Sequence, residues 1–192
     1  MAEHAQDHGT VSSEAEQLIL VDADDQVLGH DSKGACHDGG GVLHRAFSLF
    51  VFNGGGELLL QQRSVGKRLW PGYWANSCCS HPRRGESMVE ATQRRLQQEL
   101  GMACDLRYLF KFQYHAHYQD LGAEHELCWV YVGQTDAPVR ANASEVAAWR
   151  FVSPDALDAE IRSEPDHFTP WLKLEWQRLR NDFNAALPRR NG

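Results

Sequence analysis

Residues 45–63 read RAFSLFVFNGGGELLLQQR, and no other stretch limits the fold as tightly. Two runs rich in Phe, Val and Leu flank three glycines, the pattern of two antiparallel strands joined at a glycine-rich turn. A second strand pair is expected downstream. In LRYLFKFQYHAHY (106–118), alternation sets Tyr108, Phe110, Phe112, Tyr114 and Ala116 on one face and Lys111, Gln113, His115 and His117 on the other, and ELCWVYVG (126–133) reads as its partner. Near the start, LILVD and VLG flank the turn-rich ADDQ as a short hairpin, and the segment from Gly29 to Gly41 reads as a glycine-rich loop.

Helices are marked by their ends. SMVEATQRRLQQELG opens on a capping box, Ser87 with Glu90, and carries an apolar stripe at Val89, Leu96 and Leu100. It closes on Gly101, so the spacing predicts a helix from about Met88 to Leu100. WRFV (149–152) is a strand, Ser153-Pro154 opens a helix, and Thr169-Pro170 opens another with the stripe Leu172, Trp176, Leu179, Phe183 and Leu187. Trp171 lies about 100° from that stripe and is expected to face a pocket. Strands mixed with helices, in hairpins rather than regular crossovers, predict an α/β (α+β) sandwich with a mixed β-sheet between helices. One domain over 16–187 is expected, with a flexible polar tail at 1–15 and a C-terminal tail at 188–192.

Bulk properties narrow the function. A net charge of −7 with scattered Lys and Arg argues against a nucleic-acid surface, so an anionic ligand must be small and locally held. No run approaches the roughly 18 apolar residues of a membrane span. The N-terminus has no basic flank before an apolar run, and a cytosolic protein is expected. The five cysteines form no CxxC pair and are expected as reduced thiols.

Several residues are equipped for chemistry. His37, His44, His81, Glu124 and Glu126 form a mixed nitrogen and oxygen set suited to zinc, manganese or another first-row ion, or are ordinary surface residues. Glu124 and Glu126, two apart at a strand start, share a face, where a cation relieves their repulsion. Arg95 and Glu99, at i and i+4, are either a surface ion pair or part of a diphosphate and magnesium site beside the SHPRRG loop. Lys33, Arg63 and Lys67 are either ligand-binding groups or solvated charges. Cys79 is either a core thiol or an acid, base or nucleophile.

Taken in order, KGACHDGGGVLHRAFS, LLLQQRSVGKRLWPGYWANSCCSHP, GESMVEATQRRLQQELG, FQY, GAEHEL and FTPW resemble the type I isopentenyl-diphosphate isomerases, a branch of the Nudix superfamily, over roughly Leu18 to Leu179. The resemblance implies a Nudix-like sandwich. It implies one Mn²⁺ or Zn²⁺ on His37, His44, His81, Glu124 and Glu126, and Mg²⁺ on Glu99 and the Cys79 carbonyl. Cys79 and Glu126 would be the catalytic residues, Tyr114 would hydrogen-bond Glu126, and Trp171 would line the pocket. Lys33, Arg63, Lys67 and Arg95 would surround the diphosphate of a small-molecule substrate, bound by a monomer or weak homodimer. The box of a hydrolytic Nudix enzyme is broken here: Ser80 stands at its Gly position, Arg95 at a Glu position, and Gln98 precedes Glu99. Moving an unactivated double bond needs a proton added at one carbon and removed at another, through a tertiary cation that water would quench. The rival expectations are a Nudix hydrolase of a small diphosphate and a noncatalytic metal- or diphosphate-binding module.

Overall fold

The computed structural model describes residues 11–189. The remainder of the two expected tails lies outside the described residues. Nine strands form one mixed sheet: β1 (Gln17–Val21), β2 (Val27–Ser32), β3 (His44–Phe52), β4 (Leu58–Arg63), β5 (Trp74–Ala75), β6 (Cys78–Ser80), β7 (Leu106–Tyr118), β8 (Gly122–Gln134) and β9 (Val146–Val152). The helices are α1 (Lys33–His37), α2 (Met88–Leu100), α3 (Pro154–Ser163) and α4 (Pro170–Asp182). None is long and apolar enough to cross a membrane among the described residues.

β3 is the hub. It runs parallel to β8 along its whole length, while its other edge is shared by β1 at the start, β6 in the middle and β4 at the end. The expected hairpin is therefore splayed. β3 and β4 pair only at Phe52↔Leu58, after which β4 leaves to join β5 and β9. The apolar runs explain the divergence. Phe50 and Phe52 of β3 and Leu58 and Leu60 of β4 pack on one core with Leu172, Trp176 and Leu179 of α4. Phe47, Leu49, Val51 and Leu59 pack on another with Leu96 and Leu100 of α2. A strand buried on both faces is continuously apolar, and each face here is covered by its own helix.

α2 has the expected bounds, with both hydrogen bonds of the capping box present and Gly101 left-handed at φ 63°. Three expectations are corrected. The 29–41 segment is not a loop throughout: β2 runs to Ser32, whose hydroxyl caps α1 by accepting from the Ala35 N–H. α4 stops at Asp182, and Leu187 reaches the α4 core after a single 3-10 turn, Asn184–Ala186. In β7 a bulge between Tyr108 and Phe110 breaks the alternation, so Tyr108 turns to Trp129 and Tyr131 while Phe110 enters the α4 core.

Candidate active site

Strand pairing assembles the first part of the site from distant segments. His44 lies opposite Glu126 in the β3/β8 ladder, Tyr114 lies opposite Glu126 in β7/β8, and Cys79 lies opposite Ser48 in β6/β3. His81 follows β6, and α1 delivers His37. Only glycine serves at 122, where a Cβ would collide with the His37 carbonyl oxygen and push α1 away from β8.

His37, His44, His81, Glu124 and Glu126 are all buried, and one donor atom from each lies within 4.8 Å of all the others. His37 Nδ1 faces the Lys33 carbonyl at 2.6 Å and His44 Nδ1 faces the Val42 carbonyl at 2.7 Å. A carbonyl only accepts, so each Nδ1 carries the proton and each Nε2 is turned into the cluster. His37 Nε2 lies 2.7 Å from Glu124, and His81 Nε2 lies 2.9 Å from Glu126 Oε1. Burial and then His37 bring His44 down to about 4, while burial and then His44 hold His81 well below the usual imidazole range. His44 and His81 are thus neutral, ligand-ready imidazoles, whereas at His37 burial is outweighed by Glu124, which raises its pKa. Burial and then the Glu124 charge push Glu126 well above the usual carboxylate range. His44 Nε2 is a buried lone pair with no hydrogen-bond partner among the described residues. Paired buried carboxylates and an orphaned imidazole nitrogen fit a divalent cation.

The remaining residues share a cavity of about 300 Å³ with this cluster. Cys79, Tyr114, Trp171, Lys33, Arg63, Lys67 and Arg95 all line it. Tyr114 donates to Glu126 Oε2 at 2.7 Å, leaving Oε1 to the cluster, and burial followed by Glu126 keeps the phenol protonated. The Cys79 thiol donates to Asn76 Oδ1 at 2.7 Å and accepts from Trp171 Nε1 at 3.1 Å. Burial is the main cause that pushes this thiol well above its usual range. Trp171 is buried beside Trp70 and Tyr114, off the α4 stripe as expected, with the Arg63 guanidinium 5.2 Å from its ring centroid. Because β6 and β8 flank β3 on opposite edges, Cys79 and Glu126 come from strands two spacings apart, about 10 Å across the sheet, and are offset along β3 by the four residues from Ser48 to His44, with both side chains on the same face.

Arg95 and Glu99 are an ion pair, but a buried one, each 2% exposed. Glu145, also 2% exposed, pairs with both Lys67 and Arg95. Glu99 does not line the cavity; it sits under Arg95 and accepts from Gln61 at 3.2 Å. Lys33 donates to Ser12 at 2.6 Å, and Arg63 donates to the Leu69 and Trp70 carbonyls. Sequence reasoning missed Asn76, Glu145 and Ser12. Asn76 stands three residues from the Cys79 it serves, where the turn-like ANS carries no chemical signal, and Glu145 is fifty residues from Arg95.

The NUDIX domain family model matches residues 42–172. Isopentenyl-diphosphate Delta-isomerase 1 of Photorhabdus laumondii is 44% identical over 172 residues, covering 88% of this chain and 98% of the relative. The isopentenyl-diphosphate Delta-isomerase of Burkholderia multivorans is 44% identical over 157 residues, covering 82% and 89%. In fold, the chain resembles a Deinococcus radiodurans protein solved by crystallography, with a TM-score of 0.70 at 24% identity, covering 85% of this chain and 98% of that one. With the NUDIX match spanning more than half the chain and these relatives covered nearly end to end, the chain belongs to the isopentenyl-diphosphate Delta-isomerase family within the NUDIX domain proteins.

Proposed function

We propose that the chain interconverts isopentenyl and dimethylallyl diphosphate, with Cys79 and Glu126 as its two proton-transfer groups. One of them adds a proton to the terminal methylene carbon of the isopentenyl group, giving a tertiary cation. The other removes a proton from the carbon two bonds from the diphosphate oxygen, and the double bond re-forms there. Carrying this reading is the placement of a thiol and a carboxylate on strands flanking β3, lining one cavity with four basic side chains. Tyr114 holds the second oxygen of Glu126 and orients its proton. Trp171 presents an indole to the cavity, where a π face stabilises a cation and bulk excludes water. Lys33, Arg63, Lys67 and Arg95 anchor the diphosphate away from the reacting carbons.

The five-residue cluster would hold Zn²⁺ or Mn²⁺, whose charge neutralises the paired carboxylates and acidifies the groups it touches. Glu99 and the Cys79 carbonyl are the proposed Mg²⁺ ligands. Their fit is incomplete in this fold, since Glu99 is already engaged by Arg95 and Gln61, and no step is drawn through that ion. The reading carries a cytosolic location and a monomer or weak homodimer as the acting species.

Incubating the protein with isopentenyl diphosphate and Mg²⁺ should yield dimethylallyl diphosphate. Cys79→Ala should abolish turnover, while Cys78→Ala, whose side chain lies in the α2 core, should remain active. Release of phosphate, or an active Cys79→Ala beside a dead Cys78→Ala, would overturn the assignment.

A further inference from the structure

Glu175 is the one fully buried carboxyl among the described residues that the proposed chemistry does not use. It is 0% exposed, takes part in no ion pair among the described residues, and its Oε2 has no hydrogen-bond partner there. It projects from α4 one turn past Trp171, toward the sheet face that carries Cys79. A buried carboxyl without a cation costs stability, so its neighbours matter. Its hydrogen-bond neighbour is Cys128, whose Sγ lies 3.4 Å from Oε1 and 3.4 Å from Ser48 Oγ. Burial pushes this carboxyl up to about 8, and a protonated carboxyl is a donor as well as an acceptor.

A donor count leads from Glu175 to Cys79. The Cys79 S–H is spent on Asn76 Oδ1, which can only accept, and Trp171 Nε1–H fills one sulfur lone pair. A second lone pair faces Ser48 Oγ at 3.5 Å. The Ser48 hydroxyl has a single hydrogen, and the Cys79 and Cys128 sulfurs both lie within reach of it. A Glu175 that donates to the Cys128 sulfur leaves the Cys128 S–H for Ser48 Oγ and so frees the Ser48 hydrogen for Cys79, whereas an acceptor-only Glu175 takes the Cys128 S–H to itself.

We propose that Glu175 is a positioning residue for Cys79: from inside the core its carboxyl, acting through Cys128, sets the direction of the Ser48 hydroxyl, and Ser48 thereby holds the Cys79 sulfur for proton transfer. The inference rests on the reading of Cys79 as a proton-transfer group.

Glu175→Leu separates this role from a structural one. Replacing a lone buried carboxyl by an apolar side chain of similar volume should leave Tm unchanged or raise it. Meanwhile kcat should fall about tenfold or more at nearly constant KM, the scale of one lost hydrogen bond near the reacting group. Glu175→Gln, which keeps a donor and an acceptor, should recover most of the rate. Ser48→Ala should show a similar loss, and adding Glu175→Leu to it should change kcat by less than about twofold, because both act through one hydroxyl. Loss of kcat in step with Tm, or additive losses in the double variant, overturns the inference. Glu175→Met is the second apolar variant, and failure of both to fold makes the carboxyl structural and likewise overturns it. Cys79→Ala is assayed alongside: activity there sinks the proposed function itself, whereas an inactive Cys79→Ala with additive losses removes only Glu175.

Discussion

Trp171 tests the site at the point where packing and chemistry meet. Its ring is 2% exposed, stands edge-on to Trp70 at 5.3 Å, and donates its N–H to Cys79 Sγ at 3.1 Å. Trp171→Phe keeps an aromatic face and deletes the N–H, a loss of about 1 kcal/mol at the sulfur, or roughly fivefold in rate. Trp171→Ala deletes the face as well. A desolvated cation–π contact is worth about 2 kcal/mol, so the two losses together predict about 150-fold on the chemical step. The cavity left by Ala should cost about 3–5 kcal/mol of stability, lowering Tm by roughly 6–20 °C for a chain of this size. Single-turnover rates measured beside thermal melts, at a temperature where both variants are folded, keep the two effects apart. Equal rates per folded molecule for the wild type, Phe and Ala proteins would mean that Trp171 is core alone, and the shielding role would have to be abandoned.

Two further outcomes follow from the buried charges. His44→Ala should weaken binding of a first-row metal by about tenfold or more, read by metal analysis after dialysis, and full retention of the metal would remove the cluster from the site. Glu145 is held below the usual carboxylate range, burial opposing and Lys67 and Arg95 prevailing, so its stabilisation is present above the unfolded pKa of about 4.3 and lost as pH falls through the folded value. Glu145→Gln should therefore lower Tm at neutral pH, and the gap from wild type should close as pH falls below the unfolded pKa of about 4.3; a gap independent of pH would refute the pairing.

What could be read from the sequence was local. Ser87, Glu90 and Gly101 mark both ends of α2 because caps are satisfied within a turn of where they occur. Glu124 and Glu126 share a face because alternation needs no partner strand. The burial of Arg95 and Glu99 was not legible, because it depends on Glu145 arriving from beyond β8 and on the Val11 carbonyl, which accepts from Arg95. Nor was the splaying of β3 from β4 legible, since a continuous apolar run is compatible with a flat hairpin or with burial between two helices. Ser32 as the cap of α1 was missed because the surrounding glycines read as a loop. The metal and catalytic residues were assigned by resemblance. The parallel register that sets His44 against Glu126 is a long-range fact that spacing alone does not contain.

That register also decides which cysteine meets the cavity. Side chains alternate along a strand, so Cys78 enters the α2 core and Cys79 faces the cavity, and a one-residue slip of β6 would exchange them. β6 has only three residues and three register pairs with β3, too few to hold itself in place by ladder bonds alone. The two buried residues before it supply the rest. Ser77 accepts from Val51 N–H at 2.8 Å and donates to the Leu59 carbonyl at 2.7 Å, tying β3 to β4 where they splay. Asn76 donates to the Leu49 and Cys78 carbonyls while its oxygen accepts from the Cys79 thiol. A single amide thus both pins the register of β6 and partners the thiol which that register delivers. At this point the packing of the sheet and the chemistry of the site depend on the same side chain.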